Sequence, residues 1–351
     1  MYKADVLIVG QGIAGTCLAF ALLGRGLTVH IVDDNHASAA SLVETAIINP
    51  VTGRRYAKSW EIDNLLPEAD VSYGRIATTL GREYLSPVGI VQVLPDARVE
   101  EIWMLRSADP EFQPYLERHI NETRWEGIPR FRSGVIDNAR RLRISALIAD
   151  AAGWFSQGGL LTRDTLDPEQ IEHRADGVHY HGQHYRNVVF CQGNSISQNP
   201  LFKWLEIIPM KGEFLICRIP GLHLPAPLKS HVTLIPLSEE ELFWCGSTYD
   251  RYNQDPAPTD RGRAYLLKQL SLLTGGRPVE VVRHGAGIRG TSSDRRPYIG
   301  AHGKFTNFLA IAGLGTKGAS LAPYCARILA DYLAEGSEIP GEVDILRHTA
   351  R

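Results

Sequence analysis

Three glycines, Gly10, Gly12 and Gly15, follow a short apolar run and open a helical one, and this junction limits what the chain can fold into more than any other stretch. Asp5-Val-Leu-Ile-Val9 is β-branched and bounded by glycine, as a buried parallel strand requires. Ile13 to Leu23 carries helical spacing, ends at Gly24-Arg-Gly26, and leads into a second strand, Thr28-Val-His-Ile-Val32. Together they make a βαβ unit that begins at the fifth residue. In that setting glycine permits a tight turn and close approach of a pyrophosphate, while the helix start supplies N–H donors and positive potential. Asp33 ends the second strand near the spacing of about twenty residues at which an acid meets the hydroxyls of a ribose. Gly10, Gly12, Ile13, Ala14, Gly15, Asp33 and Asp34 are therefore candidate dinucleotide contacts. No arginine or lysine directly follows the two acids, so an unphosphorylated ribose is expected. The competing view, a glycine turn that binds no dinucleotide, leaves strand, glycines, helix and acid as a coincidence. The loop alone does not separate one dinucleotide from another.

The remaining totals narrow the class. A chain of 351 residues is long for one compact core, which favours two domains. Lys+Arg 37 against Asp+Glu 39 gives a net charge of −2, so nothing draws the whole molecule to a nucleic-acid backbone or an anionic membrane, although a local basic patch stays open. Cys17, Cys191, Cys217, Cys245 and Cys325 are isolated and odd in number, and are expected to be reduced, mostly buried thiols. The 12 histidines show no HExxH or paired ligand spacing, so no metal is assigned. The first apolar run is too short for a secretory signal and no uncharged run spans a bilayer, which makes a cytoplasmic location the expectation.

Further along, Glu83 to Leu94 suggests a strand, Val99 to Arg118 contains a helix, and Arg141 to Phe155 reads as another. Tyr185 to Phe190 is a strand running into Cys191-Gln-Gly193, a second strand-to-glycine turn. Glu213 to Ile219, His231 to Ile235 and Leu242 to Gly246 are short strands between turn residues, read as an antiparallel sheet inserted into the parallel one. From Phe308 the parallel pattern returns: strand to Ala312, glycine loop from Gly313 to Gly318, helix from Ala319 to Tyr332. The expectation is an α/β chain whose Rossmann-like dinucleotide domain is discontinuous, at 1–80, 141–205 and 281–351. A substrate domain with a mostly antiparallel sheet (α+β) takes 81–140 and 206–280.

Gly285-Ala-Gly287-Ile-Arg289-Gly-Thr291, Asp294-Arg-Arg-Pro297 and Asn307 to Gly318, with its Gly313-Leu-Gly315-Thr316-Lys317-Gly318 loop, resemble the D-amino-acid oxidase superfamily of FAD enzymes. Within it the chain is most similar to glycine and sarcosine oxidases and to the oxidase half of the bifunctional tRNA wobble-uridine modification enzyme. Ala40-Ser41, Ala46, Val188 to Gly193, Pro209-Met-Lys-Gly212 and Cys245-Gly-Ser-Thr248 share in the resemblance, whereas residues 60 to 140 do not. It implies a two-dinucleotide-type fold and FAD, with Ser41, Ala46, Gly193, Gly287 and the Gly313, Gly315, Thr316, Lys317, Gly318 loop as contacts, and Leu166 beside the adenine. Lys317 matches a lysine that sarcosine oxidases place at the flavin edge; the alternative is a solvated loop lysine. The loop's N–H groups and helix start suit the negative charge of a reduced flavin. Covalent attachment is not expected, since no cysteine lies between Cys245 and Cys325.

Arg289 matches the arginine with which glycine oxidase and D-amino-acid oxidase clamp a substrate carboxylate, a task suited to a planar, permanently charged fork. The alternative is a structural ion pair with Asp294 or another acid. Arg54, with Arg55 and Lys58, follows Ile47-Ile-Asn-Pro50 and offers a second anion contact or a solvated basic turn; Tyr249 and Tyr252 offer a roof for the substrate or ordinary packing. The expected reaction is oxidation of a C–N bond in a small or N-substituted amino acid bearing a carboxylate, with oxygen or a carrier as electron acceptor. A tRNA-modifying oxidase, a 2-hydroxy-acid dehydrogenase and a flavin protein without turnover remain open beside it.

Overall fold

The computed structural model describes residues 3–35, 40–174 and 176–348. The chain opens with β1 (Ala4–Val9), α1 (Ile13–Leu23) and β2 (Val29–Asp33). Three short strands follow, β3 (Ala46–Ile48), β4 (Val51–Thr52) and β5 (Ala57–Lys58), then α2 (Ile62–Leu80), β6 (Leu85–Val93) and α3 (Ala97–Ala108). Next come β7 (Asn121–Thr123), β8 (Phe131–Leu142), α4 (Ile144–Gln157), β9 (Leu161–Arg163), β10 (Glu172–Arg174), β11 (Gly177–Tyr180) and β12 (Gln183–Phe190). The last part holds β13 (Ile207–Arg218), β14 (Leu228–Lys229), β15 (Thr233–Pro236), β16 (Leu242–Gly246), α5 (Asp260–Thr274), β17 (Glu280–Ser292), β18 (Tyr298–Ala301), β19 (Phe308–Ala312) and α6 (Gly318–Glu335).

In the first sheet β9, β2, β1, β12 and β19 lie side by side and parallel. Val6, Leu7, Ile8, Val188 and Val189 are buried, which is the continuous apolar pattern of strands covered on both faces. α1 and α6 pack on this sheet within one core. β10, β11 and β18 join at its margins as antiparallel strands.

The antiparallel strands expected after residue 212 are not inserted into that sheet. They build a second one, in the order β17-β13-β16-β15-β14-β6-β8-β3, with β7 on β8. Alternation gives it two unlike faces. One face sends Leu215, Cys217, Leu228, Leu234, Phe243 and Cys245 against Leu266 and Leu270 of α5. That helix forms because Leu266, Leu270 and Leu273 recur on one stripe, the Thr259 hydroxyl caps the N–H of Gly262 at 3.0 Å, and Gly275 at φ +67° ends it. Burying each such leucine stabilises by about 1.5–3 kcal/mol. The opposite face, through Ile90 and Ile136, joins the core that holds α1, α2 and α6.

The helix expected within Val99 to Arg118 is α3, which starts under an Asp96 cap and stops at Ala108, because Asp109 precedes Pro110 and cannot comfortably stay helical. Two elements differ from expectation. α4 begins at Ile144, since Arg140, Arg141 and Leu142 pair with β3 as the end of β8. α2, unassigned from sequence, buries Ile62, Leu65, Leu66, Ala69, Tyr73, Ile76 and Ala77 along one stripe.

Candidate functional site

The turn after β1 leaves no room for side chains. Gly10 has φ +100°, and a Cβ there would stand 2.6 Å from the carbonyl oxygen of Cys191 at the end of β12. A Cβ on Gly15 would stand 1.9 Å from the carbonyl oxygen of Gly10. Gly12 is different: its φ is −69°, and an added Cβ would meet only the Ser41 hydroxyl, at 3.3 Å. α1 has no side-chain cap on Gly12 and no acid in its first turn, and Ser41 Oγ accepts the N–H of Ile13 at 3.1 Å. One carboxylate oxygen of Asp33 accepts the N–H of Gln11 at 2.7 Å, so the acid is tied to the glycine turn. Its other oxygen binds Arg163, a cation brought in by β9. No arginine or lysine follows the acids along the chain, but β9 pairs with β2 in register Asp33 to Arg163 and brings one beside Asp33 in space. Asp34 is exposed.

The C-terminal glycine loop comes to the same place. Gly313 at φ +75° and Gly315 at φ +54° turn the chain from β19 into α6, and a Cβ on Gly318 would lie 3.5 Å from Ile13 at the head of α1. Thr291 of β17 pairs with Leu314, and its side chain occupies the space where a Cβ of Gly315 would go, 2.9 Å from Oγ1. Thr316 is exposed, and Lys317 is half-buried with no hydrogen bond or ion pair to its ammonium among the described residues. Desolvation, with Arg295 nearby, holds the Lys317 pKa below the ordinary lysine value.

Arg289 stands two residues before Thr291 on β17, on the same face. Its guanidinium lies over Gly212 of β13, whose missing Cβ would come within 2.3 Å of it. Nη2 donates to Ser247 Oγ at 3.3 Å, and the exposed ring of Tyr249 lies 5.7 Å away. Nη1 is shut off from solvent and has no partner among the described residues, and desolvation lowers the guanidinium pKa. The structural ion pair with Asp294 is not formed: Asp294 binds Arg347 and His348 instead. An unpaired, buried cation is costly unless something outside the chain completes it.

The other candidates scatter. Ala46 lies on β3, and Gly287 is buried opposite Gly212. Gly193, at φ +56°, abuts Gly290 of β17. Leu166 is buried in the cluster that holds Val32 and Ile171. Arg54 is exposed in the turn between β4 and β5, and Tyr252 is 89% exposed, against 67% for Tyr249. The five cysteines are free and buried, with burial raising Cys17 and Cys217 to about 12. Asp176, His179 and His184 gather at the far end of β12 from the glycine turn, His179 hydrogen-bonded to the Asp176 carboxylate and His184 to its backbone oxygen. Sequence reasoning missed Gly212 as the seat of Arg289, Ser247 as its partner, and Arg163.

The family model described as FAD dependent oxidoreductase, DAO, matches residues 5–332. The chain belongs to this family. Glycine oxidase of Pseudomonas aeruginosa is 30% identical over 367 residues, covering 94% of both chains. The tRNA 5-methylaminomethyl-2-thiouridine biosynthesis bifunctional protein MnmC of Idiomarina loihiensis is 25% identical, over 98% of this chain and 58% of that one. The bifunctional protein ThiO/ThiG of a Nostoc species is 22% identical, over 96% and 53%. The chain thus spans little more than half the length of these two bifunctional relatives. Glycine oxidase from Geobacillus kaustophilus superposes with a TM-score of 0.83 at 19% identity, over 99% of this chain and 100% of that one. Iminodiacetate oxidase from Chelativorans gives 0.78 at 20%, over 96% and 97%, and both likenesses show the fold. FAD is the cofactor of this DAO-family oxidoreductase. The chain fits it: glycines at the tight points of two turns, a helix start with no acid in its first turn, an anchored acid and a lysine without a partner among the described residues meet in one place. Among the described residues no helix is long and apolar enough to cross a membrane.

Proposed function

We propose that the chain oxidises the C–N bond of a small or N-substituted amino acid, and that Arg289 holds the substrate carboxylate. The observation that carries this reading is the buried Nη1 of Arg289, which has no acceptor among the described residues and lies on the face of β17 that also meets the Gly313–Gly318 loop. FAD, when bound, supplies the hydride acceptor, and no covalent link to the chain is needed. Ser247 Oγ and the Tyr249 ring hold the guanidinium fork, and Gly212 leaves space for it to turn toward a carboxylate. A two-point clamp orients the amine carbon, so that binding energy is spent on geometry. An amine bound neutral needs no protein base: loss of a hydride from its carbon to the flavin would leave an iminium, which water hydrolyses to the carbonyl compound and the ammonium product. Lys317 is proposed to place a positive charge at the flavin edge, while Gly10 to Gly15, Asp33 and Ser41 would hold pyrophosphate and ribose. Tyr249 would border the substrate; the exposure of Arg54 and Tyr252 gives them no comparable support. The domain division at 1–80, 141–205 and 281–351 against 81–140 and 206–280 is kept as a working division.

The test is anaerobic bleaching of the flavin by glycine, sarcosine, D-amino acids and 2-hydroxy acids, in wild type, Arg289→Lys and Arg289→Ala. The alanine variant is expected to lose about 2–5 kcal/mol in kcat/KM for carboxylated amines, the lysine variant less, and decarboxylated amines little in either. Equal loss with both substrate types would remove the clamp. The match to MnmC over 98% of the chain favours a second reading, a tRNA wobble-uridine modification oxidase, which a gel shift with tRNA examines.

A further inference from the structure

The second sheet carries more unpartnered donors on the face that bears Arg289. Because the Arg289 guanidinium fills the space of the missing Gly212 Cβ, that face is fixed, and Phe214 and Ile216 share it by alternation along β13. Residues directly opposed across a ladder point to the same face. Phe214 opposes Gly246, Gly246 opposes Thr233, Thr233 opposes Lys229, and Lys229 opposes Gln92. Lys229 therefore stands on the Arg289 face, whereas its neighbour Leu228 points the other way into the α5 core.

Lys229 is half-buried, and among the described residues no hydrogen bond or ion pair reaches its ammonium. Burial pushes its pKa down to about 8, with no carboxylate near enough to oppose the shift. Trp244, opposite Ile216 on the same face, lays its ring against the Cα of Gly246 in the Lys229 row, and its buried Nε1 has no acceptor among the described residues. The row is closed beyond Gln92, where the Trp103 ring occupies the space over Gly134. A patch bounded by Trp103 at one end and Arg289 at the other thus holds three donor groups short of acceptors. Buried donors in folded proteins are nearly always satisfied, so the missing acceptors point to a ligand.

We propose that Lys229, assisted by Trp244, is a specificity-determining residue that binds a second carboxylate of the substrate, carried on the substituent of its nitrogen. The inference rests on the amino-acid reading above and names the substrate class within it. The Arg289 head already leans two strands over, across Gly212 of β13 to Ser247 after β16, leaving two inter-strand steps to β14, a span on the order of 10 Å. An N-(ω-carboxyalkyl) amino acid with about four methylenes between nitrogen and the distal carboxylate has that reach when extended. A small neutral substituent would leave Lys229 and Trp244 unsatisfied.

The experiment compares N-(ω-carboxyalkyl)glycines of three to five methylenes with N-alkylglycines of matched length. The readout is the ratio of their kcat/KM values in wild-type holoenzyme, Lys229→Met, Lys229→Arg and Trp244→Phe. Wild type is expected to prefer the charged member of a pair by tenfold or more. Lys229→Met should abolish that preference, Lys229→Arg restore part of it, and Trp244→Phe reduce it several-fold. Retained flavin absorbance in each variant controls for folding. No preference in wild type, or an undiminished one in Lys229→Met, overturns the inference and leaves the amino-acid reading standing if N-alkylglycines are still oxidised. If no amine in the panel, nor glycine or sarcosine, reduces the flavin, the amino-acid reading fails and this inference with it.

Discussion

Single cations without partners give the strongest chemical information in this molecule. A lysine in a loop is ordinarily solvated. Lys317 is half-buried instead, and desolvation lowers its pKa, so the folded chain bears a cost for keeping its charge there. A cation at the flavin edge offsets that cost if it stabilises the negative charge of the reduced cofactor. Replacing Lys317 by Met should therefore make the flavin harder to reduce, shifting the midpoint potential negative by about 30 mV for each 1.4 kcal/mol of stabilisation lost. Titration of both proteins against dyes of known potential measures this, and an unchanged or more positive potential removes Lys317 from the flavin. Lys229 gives a complementary test in stability. Its folded pKa of about 8 lies below the ordinary lysine value, so between pH 8 and about 10.5 the unfolded chain binds more protons and stability rises with pH. Lys229→Met should thus be more stable than wild type near neutral pH, by at most about 3 kcal/mol, with the gain fading as pH climbs through that window. A difference in Tm that stays constant from pH 7 to 10 would mean that the charge of Lys229 costs the fold nothing.

At the level of elements, the β1–α1 turn separates glycines needed for the fold from glycines needed for a ligand. Gly15 faces a backbone oxygen that cannot move aside, whereas Gly12 faces a serine hydroxyl and has an ordinary φ. Gly15→Ala should lower Tm sharply, at a cost of about 2 kcal/mol or more. Gly12→Ala should leave the Tm of the flavin-free protein nearly unchanged yet weaken retention of FAD, because its Cβ intrudes only where a pyrophosphate would approach. Flavin content after gel filtration and the melting curve of the stripped protein report the two effects. If Gly12→Ala retains FAD fully, the pyrophosphate does not approach there. These glycines were legible in sequence because turn, helix start and acid follow one another along the chain. So was the loop at Gly313 to Gly318, and so was Arg289. What pairs with them was not legible: Arg163 reaches Asp33, and Gly212 receives Arg289, only through the register of strands 130 and 77 residues apart. The helix from Ile62 to Leu80 carried its own apolar stripe, but Pro67 in its second turn masks the pattern. Lys229 and Trp244 sit on strands too short for their side-chain direction to be read until the neighbouring strands are in place.

For the molecule as a whole, the crossing between the two sheets is where stability and site geometry meet. β17 belongs to the second sheet and β18 to the first, and the turn that joins them carries Asp294. The C-terminal segment folds back over this turn: Val343 and Ile345 are buried, and the backbones of Ile299 and Ile345 are joined. Arg347 grips Asp294 with two bonds, at 2.9 and 3.0 Å, donates to the carbonyl oxygens of Pro297 and Arg296, and lies 3.8 Å over the ring of Tyr298. Thr291 and Gly313 flank this joint, so its stiffness bears on how Arg289 is held against the Gly313 loop. Burial alone would raise the Asp294 pKa; the bonds from Arg347 and the N–H of Arg296 outweigh it and hold the carboxyl well below the usual carboxylate range. A carboxylate with a depressed folded pKa stabilises fully above its unfolded value, and that contribution is lost as pH falls below about 4. Arg347→Ala is therefore expected to lower stability by about 2–3 kcal/mol at pH 7, since the guanidinium is buried and its partner only partly exposed. The gap in Tm between the variant and wild type should narrow as the pH is taken below 4, because wild type then loses the ion pair that the variant already lacks. Melting curves of both proteins from pH 7 to pH 3 measure it. A gap that persists unchanged into acid would show that Arg347 acts through its packing on Tyr298, and that the Asp294 charge does not clamp the two sheets together.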